Sequence, residues 1–255
     1  MPMQWEPTIV KWEQVSEDRW EPLRYLFPVV APLTGKVERF TPLPYADKPQ
    51  YINNTVVDDF LDENLDLRWT FVRVPEDKTY SLSENPGFLR LYSKPGIIQD
   101  RKRFSLVGFR QKESDFEFEV KMNFSPEKDK VESGIIHYQK EWNYLTNTVT
   151  KVKKKYYLEQ KLKEKSKEIV TLKKTILKGY DGNIILKVKS KKDKYDFYYS
   201  LNNGSSFIYF TSMDAIKILD RNYTGALLGL YTTSNGKVTQ DYADYDWIRY
   251  RDYLR

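Results

Sequence analysis

Apolar and polar residues alternate strictly between positions 116 and 124. The apolar positions are Phe116, Phe118, Val120, Met122 and Phe124, and charged or polar residues fill the positions between them. Successive side chains of a strand point to opposite faces of a sheet. This stretch therefore predicts a β-strand with one buried face and one face toward solvent.

Similar short runs of alternating or β-branched residues, separated by turn signals, continue from residue 55 to residue 250. The predicted strands are Thr55–Phe60, Arg68–Val74, Gly87–Tyr92, Ser105–Gln111, Phe116–Phe124, Glu132–Gln139, Trp142–Thr148, Tyr156–Lys163, Ile169–Leu177, Asn183–Ser190, Tyr195–Ser200, Phe207–Phe210, Ala226–Thr232 and Tyr242–Tyr250. The spacing is typical of an all-β sandwich.

Two local sequence features bear on the assignment to an all-β sandwich, one in favour and one against. Asn202-Asn203-Gly204 and Asn235-Gly236 favour tight turns, because Asn and Gly tolerate the positive φ that such turns need. The stretch from 158 to 178 is rich in Lys and Glu, which are good helix formers, yet we assign it to strands.

Residues 1–54 differ from the rest. They contain most of the chain's twelve prolines and show no sustained strand or helix period. Three tryptophans, Trp5, Trp12 and Trp20, make a solvated tail improbable on composition. We predict an irregular N-terminal arm over 1–54 and one sandwich domain over 55–255, with the arm packed either on that domain or on a partner.

Composition narrows the function classes. The chain has no cysteine, which excludes disulfides and thiolate chemistry. It has no long apolar run and no signal-peptide pattern, so we expect a soluble chain without a membrane span, and the compartment stays unknown. The net charge of +6 comes from lysines at 151–194, which alternate with apolar residues as on the solvent side of a sheet rather than on a nucleic-acid surface.

Four ordered sequence blocks carry a family resemblance. They are Asp58–Phe60 with Leu67–Trp69 and Arg73–Pro75, Pro86–Leu91 with Phe104–Val107 and Arg110–Gln111, Ser133–Tyr138 with Trp142–Leu145, and Phe197–Ser200 with Tyr223–Tyr231 and Ala243–Tyr250. In this order the chain resembles the C-terminal accessory domain of family 43 glycoside hydrolases, the β-xylosidases and α-L-arabinofuranosidases.

The resemblance implies a concanavalin A-like jelly-roll sandwich of two antiparallel sheets, with the first and last strands side by side. In that family the domain follows a five-bladed catalytic propeller and leans a loop onto its pocket. The matching loop is 94–104, with Phe104 as its apolar tip. The chain departs from the family in lacking the propeller and in carrying Gly108-Phe109 where a small residue and an arginine are usual.

Sugar sites combine aromatic faces with side chains that bond to hydroxyl groups. Alternation places Trp69, Phe71 and Arg73 on one strand face, and Phe88, Arg90 and Tyr92 on one face of the next. The predicted carbohydrate-binding residues are Trp69, Arg73, Arg90, Arg110, His137 and Trp142. The alternative is a structural cluster, since buried arginine is normally paired.

Other chemistry is limited by the residues present. His137 is the only histidine, which excludes a metal site with several histidines and a Ser-His-Asp triad that uses another histidine. If the first and last strands are neighbours, Asp58 and Asp246 could bind Ca²⁺ with backbone carbonyls; the alternative is two ordinary surface carboxylates.

Three functions follow as hypotheses. The first is an accessory, carbohydrate-binding sandwich of a glycoside hydrolase system acting on xylan or arabinan, without a catalytic centre of its own. The second is a structural partner that docks on a separate propeller and completes its active site. The third is an unaided glycosidase, which would need a pair of carboxylates with divergent pKa values, and no such pair stands out in the sequence.

Overall fold

The computed structural model describes residues 55–75, 78–100, 104–191, 193–218 and 225–253, together with the backbone of four short N-terminal strands. The chain divides into two compact units, 1–52 and 53–255. The N-terminal unit contains two antiparallel pairs, β1 (Trp12–Ser16) with β2 (Arg19–Pro22) and β3 (Val29–Val30) with β4 (Val37–Glu38). The rest of the predicted arm, including its packing, lies outside the described residues.

The second unit is built from fifteen described strands. They are β5 (Thr55–Asp58), β6 (Thr70–Phe71), β7 (Tyr80–Ser81), β8 (Leu89–Tyr92), β9 (Ser105–Arg110), β10 (Phe116–Asn123), β11 (Glu132–Lys140), β12 (Asn143–Val152), β13 (Lys155–Glu164), β14 (Val170–Ile176), β15 (Asn183–Lys191), β16 (Lys194–Ser200), β17 (Ile208–Asp214), β18 (Leu227–Thr233) and β19 (Tyr242–Asp252). Two short 3-10 turns, Ile98–Asp100 and Ala215–Lys217, are the described helical elements, and neither could span a membrane.

These strands form two antiparallel sheets. The eight-stranded sheet has the order β17-β16-β15-β10-β19-β8-β7, with β5 also paired to β19, and the seven-stranded sheet has the order β14-β13-β12-β11-β18-β9-β6. The predicted all-β sandwich is confirmed, and so is the neighbouring position of the first and last strands of the domain, since Asp58 lies opposite Ile248.

The core lies between the inner faces of the two sheets, as the alternation in β10 requires. Phe116, Phe118, Val120 and Met122 are all buried there. The Tyr245 side chain crosses this layer, and its hydroxyl group lies 2.8 Å from Ser133 Oγ and donates toward the Gly134 and Tyr231 carbonyls. Burial raises the pKa of Tyr245 well above its usual value, so the hydroxyl keeps its proton.

The strand predictions differ from the structure mainly in the first quarter of the domain. The predicted strand 68–74 is reduced to Thr70–Phe71, and the short strand β7 was not predicted. The Lys- and Glu-rich stretch does form strands, β13 and β14. Its lysines pair with acidic side chains, as Lys174 does with Glu159 on the neighbouring strand and Lys161 with Glu132 two strands away.

Candidate functional site

Trp69, the first predicted sugar platform, is a core residue. Its side chain is 7% exposed and packs edge-on against Phe109, with ring centroids 5.4 Å apart. Its Nε1 donates a 2.7 Å hydrogen bond to Asp58 Oδ2. Because strand β6 ends after Phe71, the predicted common face of Trp69, Phe71 and Arg73 does not form. The structural cluster describes Trp69 better than a sugar platform does.

The two carboxylates predicted to share Ca²⁺ have separate partners. Asp58 accepts hydrogen bonds from the indole of Trp69 and, through Oδ1, from the backbone N–H of Phe60 at 3.0 Å. Asp246 lies 2.8 Å from Lys121 Nζ. Among the described residues no group of three or more His, Asp or Glu side chains could hold a metal ion. Calcium binding stays a prediction, and these contacts give it no support.

Arg90 is paired on the outer face of the eight-stranded sheet. Its Nε and Nη2 atoms each donate a 2.8 Å hydrogen bond to the two carboxylate oxygens of Asp244. The guanidinium carbon also lies 3.8 Å from the centroid of the Tyr242 ring. A bidentate pair that is stacked on an aromatic ring fixes the arginine in place, so its donors are largely used within the protein.

His137 lies inside the core rather than on a binding surface. Its ring is 4.9 Å from that of Tyr195 and meets Phe197 edge-on. Burial lowers the pKa of His137 to about 3, because loss of water disfavours the charged imidazolium. No hydrogen-bond partner for its Nε2 is found among the described residues. The imidazole is therefore a neutral packing group.

The remaining predicted residues lie around the outer face of the seven-stranded sheet. Arg110 is exposed and donates from Nη1 to the Gly225 carbonyl at 2.7 Å, and Arg73 is exposed beyond the end of β6. Trp142 is half-buried in the β11–β12 turn, with Lys140 Nζ 5.3 Å from its ring centroid. The six predicted side chains are thus divided among the core and two outer faces and do not form one site.

Phe104, which the sequence predicts as the apolar tip of the loop 94–104, is buried in this chain. It is 8% exposed and packs in an outer cluster on the seven-stranded sheet. The outer cluster comprises Ile98, Phe104, Leu106, Ile136, Tyr138, Tyr144, Leu227 and Tyr231. Residues 101–103 of the same loop lie outside the described part of the chain.

Two buried carboxylates meet on this same outer face. Glu132 Oε1 and Glu159 Oε2 lie 2.5 and 3.0 Å from the Nζ atom of Lys161, and Glu159 also contacts Lys174. Burial raises the pKa of Glu159, but the ammonium groups of Lys174 and Lys161 outweigh it and hold the pKa below its usual range. A glycosidase needs one carboxyl group that stays protonated, and this arrangement instead keeps Glu159 ionised.

Sequence reasoning missed a groove on the outer face of the eight-stranded sheet. It runs along the ends of β10 and β16 and the beginnings of β15 and β19, in two adjoining cavities of about 430 and 290 Å³. Asparagine is the most frequent polar residue in its walls, which also include apolar residues such as Ile185 and Leu201. Asn123 and Asn183 lie opposite each other on neighbouring strands, which alternation alone could have placed on one solvent-exposed face.

The observed protein is a two-sheet antiparallel sandwich. The family model for the beta-xylosidase C-terminal concanavalin A-like domain matches residues 57–251. The chain belongs to this family.

Individual relatives of known sequence or structure agree with this family assignment. The chain is 27% identical over 218 residues to a non-reducing end alpha-L-arabinofuranosidase of Bacteroides ovatus, covering 85% of this chain and 41% of that protein. It is 29% identical over 250 residues to a xylosidase/arabinosidase of Butyrivibrio fibrisolvens, covering 92% and 44%. A crystal structure of a GH43 protein from Bacillus licheniformis matches with a TM-score of 0.70 and 31% identity, covering 77% and 39%. The chain thus spans about two fifths of the length of these relatives.

Proposed function

We propose that this chain is the accessory half of a glycoside hydrolase that acts on xylan- or arabinan-type glycans. In this proposal it packs against a catalytic domain and does not cleave glycosidic bonds itself. The observation that carries the proposal is the match of the chain to only the C-terminal domain, and to about two fifths, of relatives named as arabinofuranosidase and xylosidase/arabinosidase.

An exposed apolar segment supports docking on a partner. Leu61, Leu67 and Val74 are 73%, 99% and 79% exposed, although they lie within one short stretch around β6. Single exposed apolar side chains are ordinary, whereas several from one segment favour a protein interface. The catalytic domain that the relatives carry is the partner that this surface would bury.

The first test is turnover. The purified chain is incubated with 4-nitrophenyl β-D-xylopyranoside and 4-nitrophenyl α-L-arabinofuranoside, and release of nitrophenol is followed. We expect no release above buffer, because Glu159, held ionised by Lys174 and Lys161, supplies no acid. Release that disappears in Glu159→Gln would contradict the proposal and favour an unaided glycosidase.

The second test is docking. A family 43 catalytic domain expressed without its own sandwich is mixed with this chain, and association is measured by analytical ultracentrifugation. We expect a complex that Leu67→Ser with Val74→Ser weakens and that Val238→Ser, also strongly exposed but distant in sequence, does not. Absence of a complex, or equal weakening by both variants, counts against docking through this segment.

A further inference from the structure

The groove on the eight-stranded sheet has a distinctive set of side chains. We call it the amide groove and define it by Lys121, Asn123, Asp181, Asn183, Asn203 and Asp246. Its two cavities share Lys121 and Asn183, so they form one continuous depression. Their volumes of about 430 and 290 Å³ are close to the range of roughly 300–1,000 Å³ found for small-molecule sites.

The amides in the groove are positioned but not saturated. Asn123 Nδ2 donates to Asn183 Oδ1 at 3.2 Å, and the backbone N–H and Nδ2 of Asn183 donate to Asp181 Oδ1 at 2.9 and 3.3 Å. A primary amide has two N–H donors and an oxygen with two lone pairs, so each of these exposed side chains keeps bonding capacity toward solvent. Closely spaced donors and acceptors suit hydroxyl groups, which both donate and accept.

Lys121 and Asp246, two of the three charged residues that define the groove, are paired with each other, and the third, Asp181, accepts hydrogen bonds from Asn183. Lys121 Nζ lies 2.8 Å from Asp246 Oδ2. Asp244, at the edge of the second cavity, accepts from both Arg90 and Asn85. An anionic or cationic ligand would have to compete with these pairs, whereas a neutral ligand can bond to their unused lone pairs and protons.

One wall of the groove is a turn that is held before any ligand arrives. Ser200 Oγ donates to Asn202 Oδ1 at 2.7 Å and accepts from the Gly204 N–H at 3.0 Å. Asn203, between them, has a φ of 54° and projects from a turn whose neighbours are fixed. On the other side Phe88 supplies half-buried apolar surface. A preformed site loses less conformational entropy on binding.

The geometry points to a binding site for a neutral oligosaccharide in the amide groove. The site is distinct from the six residues that the sequence suggested, and Arg90 alone among those borders it, through Asp244. That the sugar is of xylan or arabinan type rests on the proposed function. The inference that a sugar binds here rests on the amides, on the Lys121–Asp246 pair and on the apolar wall.

The test is titration calorimetry of the full chain with xylo- and arabino-oligosaccharides. We expect one of the two series to bind. The double variant Asn123→Ala with Asn183→Ala should weaken that binding about tenfold or more, because it removes two side chains that bond to the ligand and a tenfold change corresponds to about 1.4 kcal/mol. Raising the salt concentration should leave the affinity unchanged, because the ligand is uncharged.

Asn203→Gly is the second groove variant, and it is safe for the fold because glycine accepts the positive φ at this position. This variant should also bind the oligosaccharide more weakly, while the midpoint of its thermal unfolding stays that of the wild type. Arg73→Ala, on the other sheet, is the matched control and should bind as the wild type does. No binding by the wild type, unchanged binding by both groove variants, or loss of binding in Arg73→Ala would overturn the site. A chain that docks on a catalytic domain but binds no glycan would overturn the amide groove and leave the proposed function standing.

Discussion

Trp69 stabilises the sandwich through its ring and through its indole nitrogen. The ring fills space beside Phe109, and Nε1 satisfies a carboxylate oxygen of Asp58 at 2.7 Å. Local sequence does not reveal this partner, which lies eleven positions away on β5, whereas Trp69 lies just before β6. An aromatic residue that is predicted to contact sugar can therefore have its ring packed and its N–H hydrogen-bonded entirely within the protein.

Replacing Trp69 with Phe keeps an aromatic ring and removes the N–H donor. We expect a loss of about 1–3 kcal/mol in the free energy of unfolding, because Asp58 is left without one of its partners. Urea denaturation followed by circular dichroism measures it. Trp142→Phe, at a half-buried turn position, is the control and should cost less; equal losses would mean that the hydrogen bond does not contribute.

His137 makes the stability of the protein depend on pH. The folded-state pKa of about 3 lies below the usual 6.5, so below pH 6.5 the unfolded chain takes up a proton that the folded chain does not. Stability from this group is complete above pH 6.5 and declines as the pH falls from 6.5 toward 3, by up to about 1.4 kcal/mol per pH unit.

His137→Leu removes that titration. Measured by urea denaturation at a series of pH values on either side of 6.5, the wild type should lose stability relative to the variant only on the acidic side. The quantity compared is the slope of the free energy of unfolding against pH. The change in packing shifts this free energy by the same amount at every pH and leaves the slope unchanged. Parallel curves for the two proteins would contradict the depressed pKa.

At the scale of elements, local alternation predicted most strands well. β10, β15 and β19 lie within two residues of their expected bounds at each end, because a period of two residues is a property of the strand itself. The 68–74 stretch failed for a tertiary reason: Trp69 turns into the core and Arg73 into solvent, and only Thr70–Phe71 pair with β9. β7 is too short to show any period.

Gly134 shows how closely two neighbouring strands approach. A Cβ atom at this position would lie 2.3 Å from the Asn147 carbonyl oxygen, which no L side chain can accept without a backbone shift. Gly134→Ala should therefore destabilise the fold by about 1–3 kcal/mol or more. Gly225→Ala, where the described atoms leave open space, is the control for thermal unfolding; similar midpoints for the two variants would show that β11 and β12 can move apart.

At the scale of the whole molecule, Tyr245 links the two sheets. It belongs to the eight-stranded sheet, and its hydroxyl bonds to Ser133, Gly134 and Tyr231 in the seven-stranded one. Tyr245→Phe should lower the free energy of unfolding by about 1–3 kcal/mol, since buried polar groups are left without a partner. Tyr209→Phe, at an exposed position, should be neutral in the same denaturation experiment. A neutral Tyr245→Phe would indicate that water replaces the hydroxyl.

The sequence by itself determined the all-β class, the strand positions and the family, because each depends on local alternation, on turn residues or on the order of motifs. Only the tertiary structure decided which side chains are available to a ligand. Arg90 and Asp244 are far apart in the chain and pair through the alignment of β8 with β19, and Phe104 is covered by its own cluster. Asn123 and Asn183 meet because β10 and β15 are neighbours. Burial and pairing are set by contacts between distant residues, and local patterns carry no information about these.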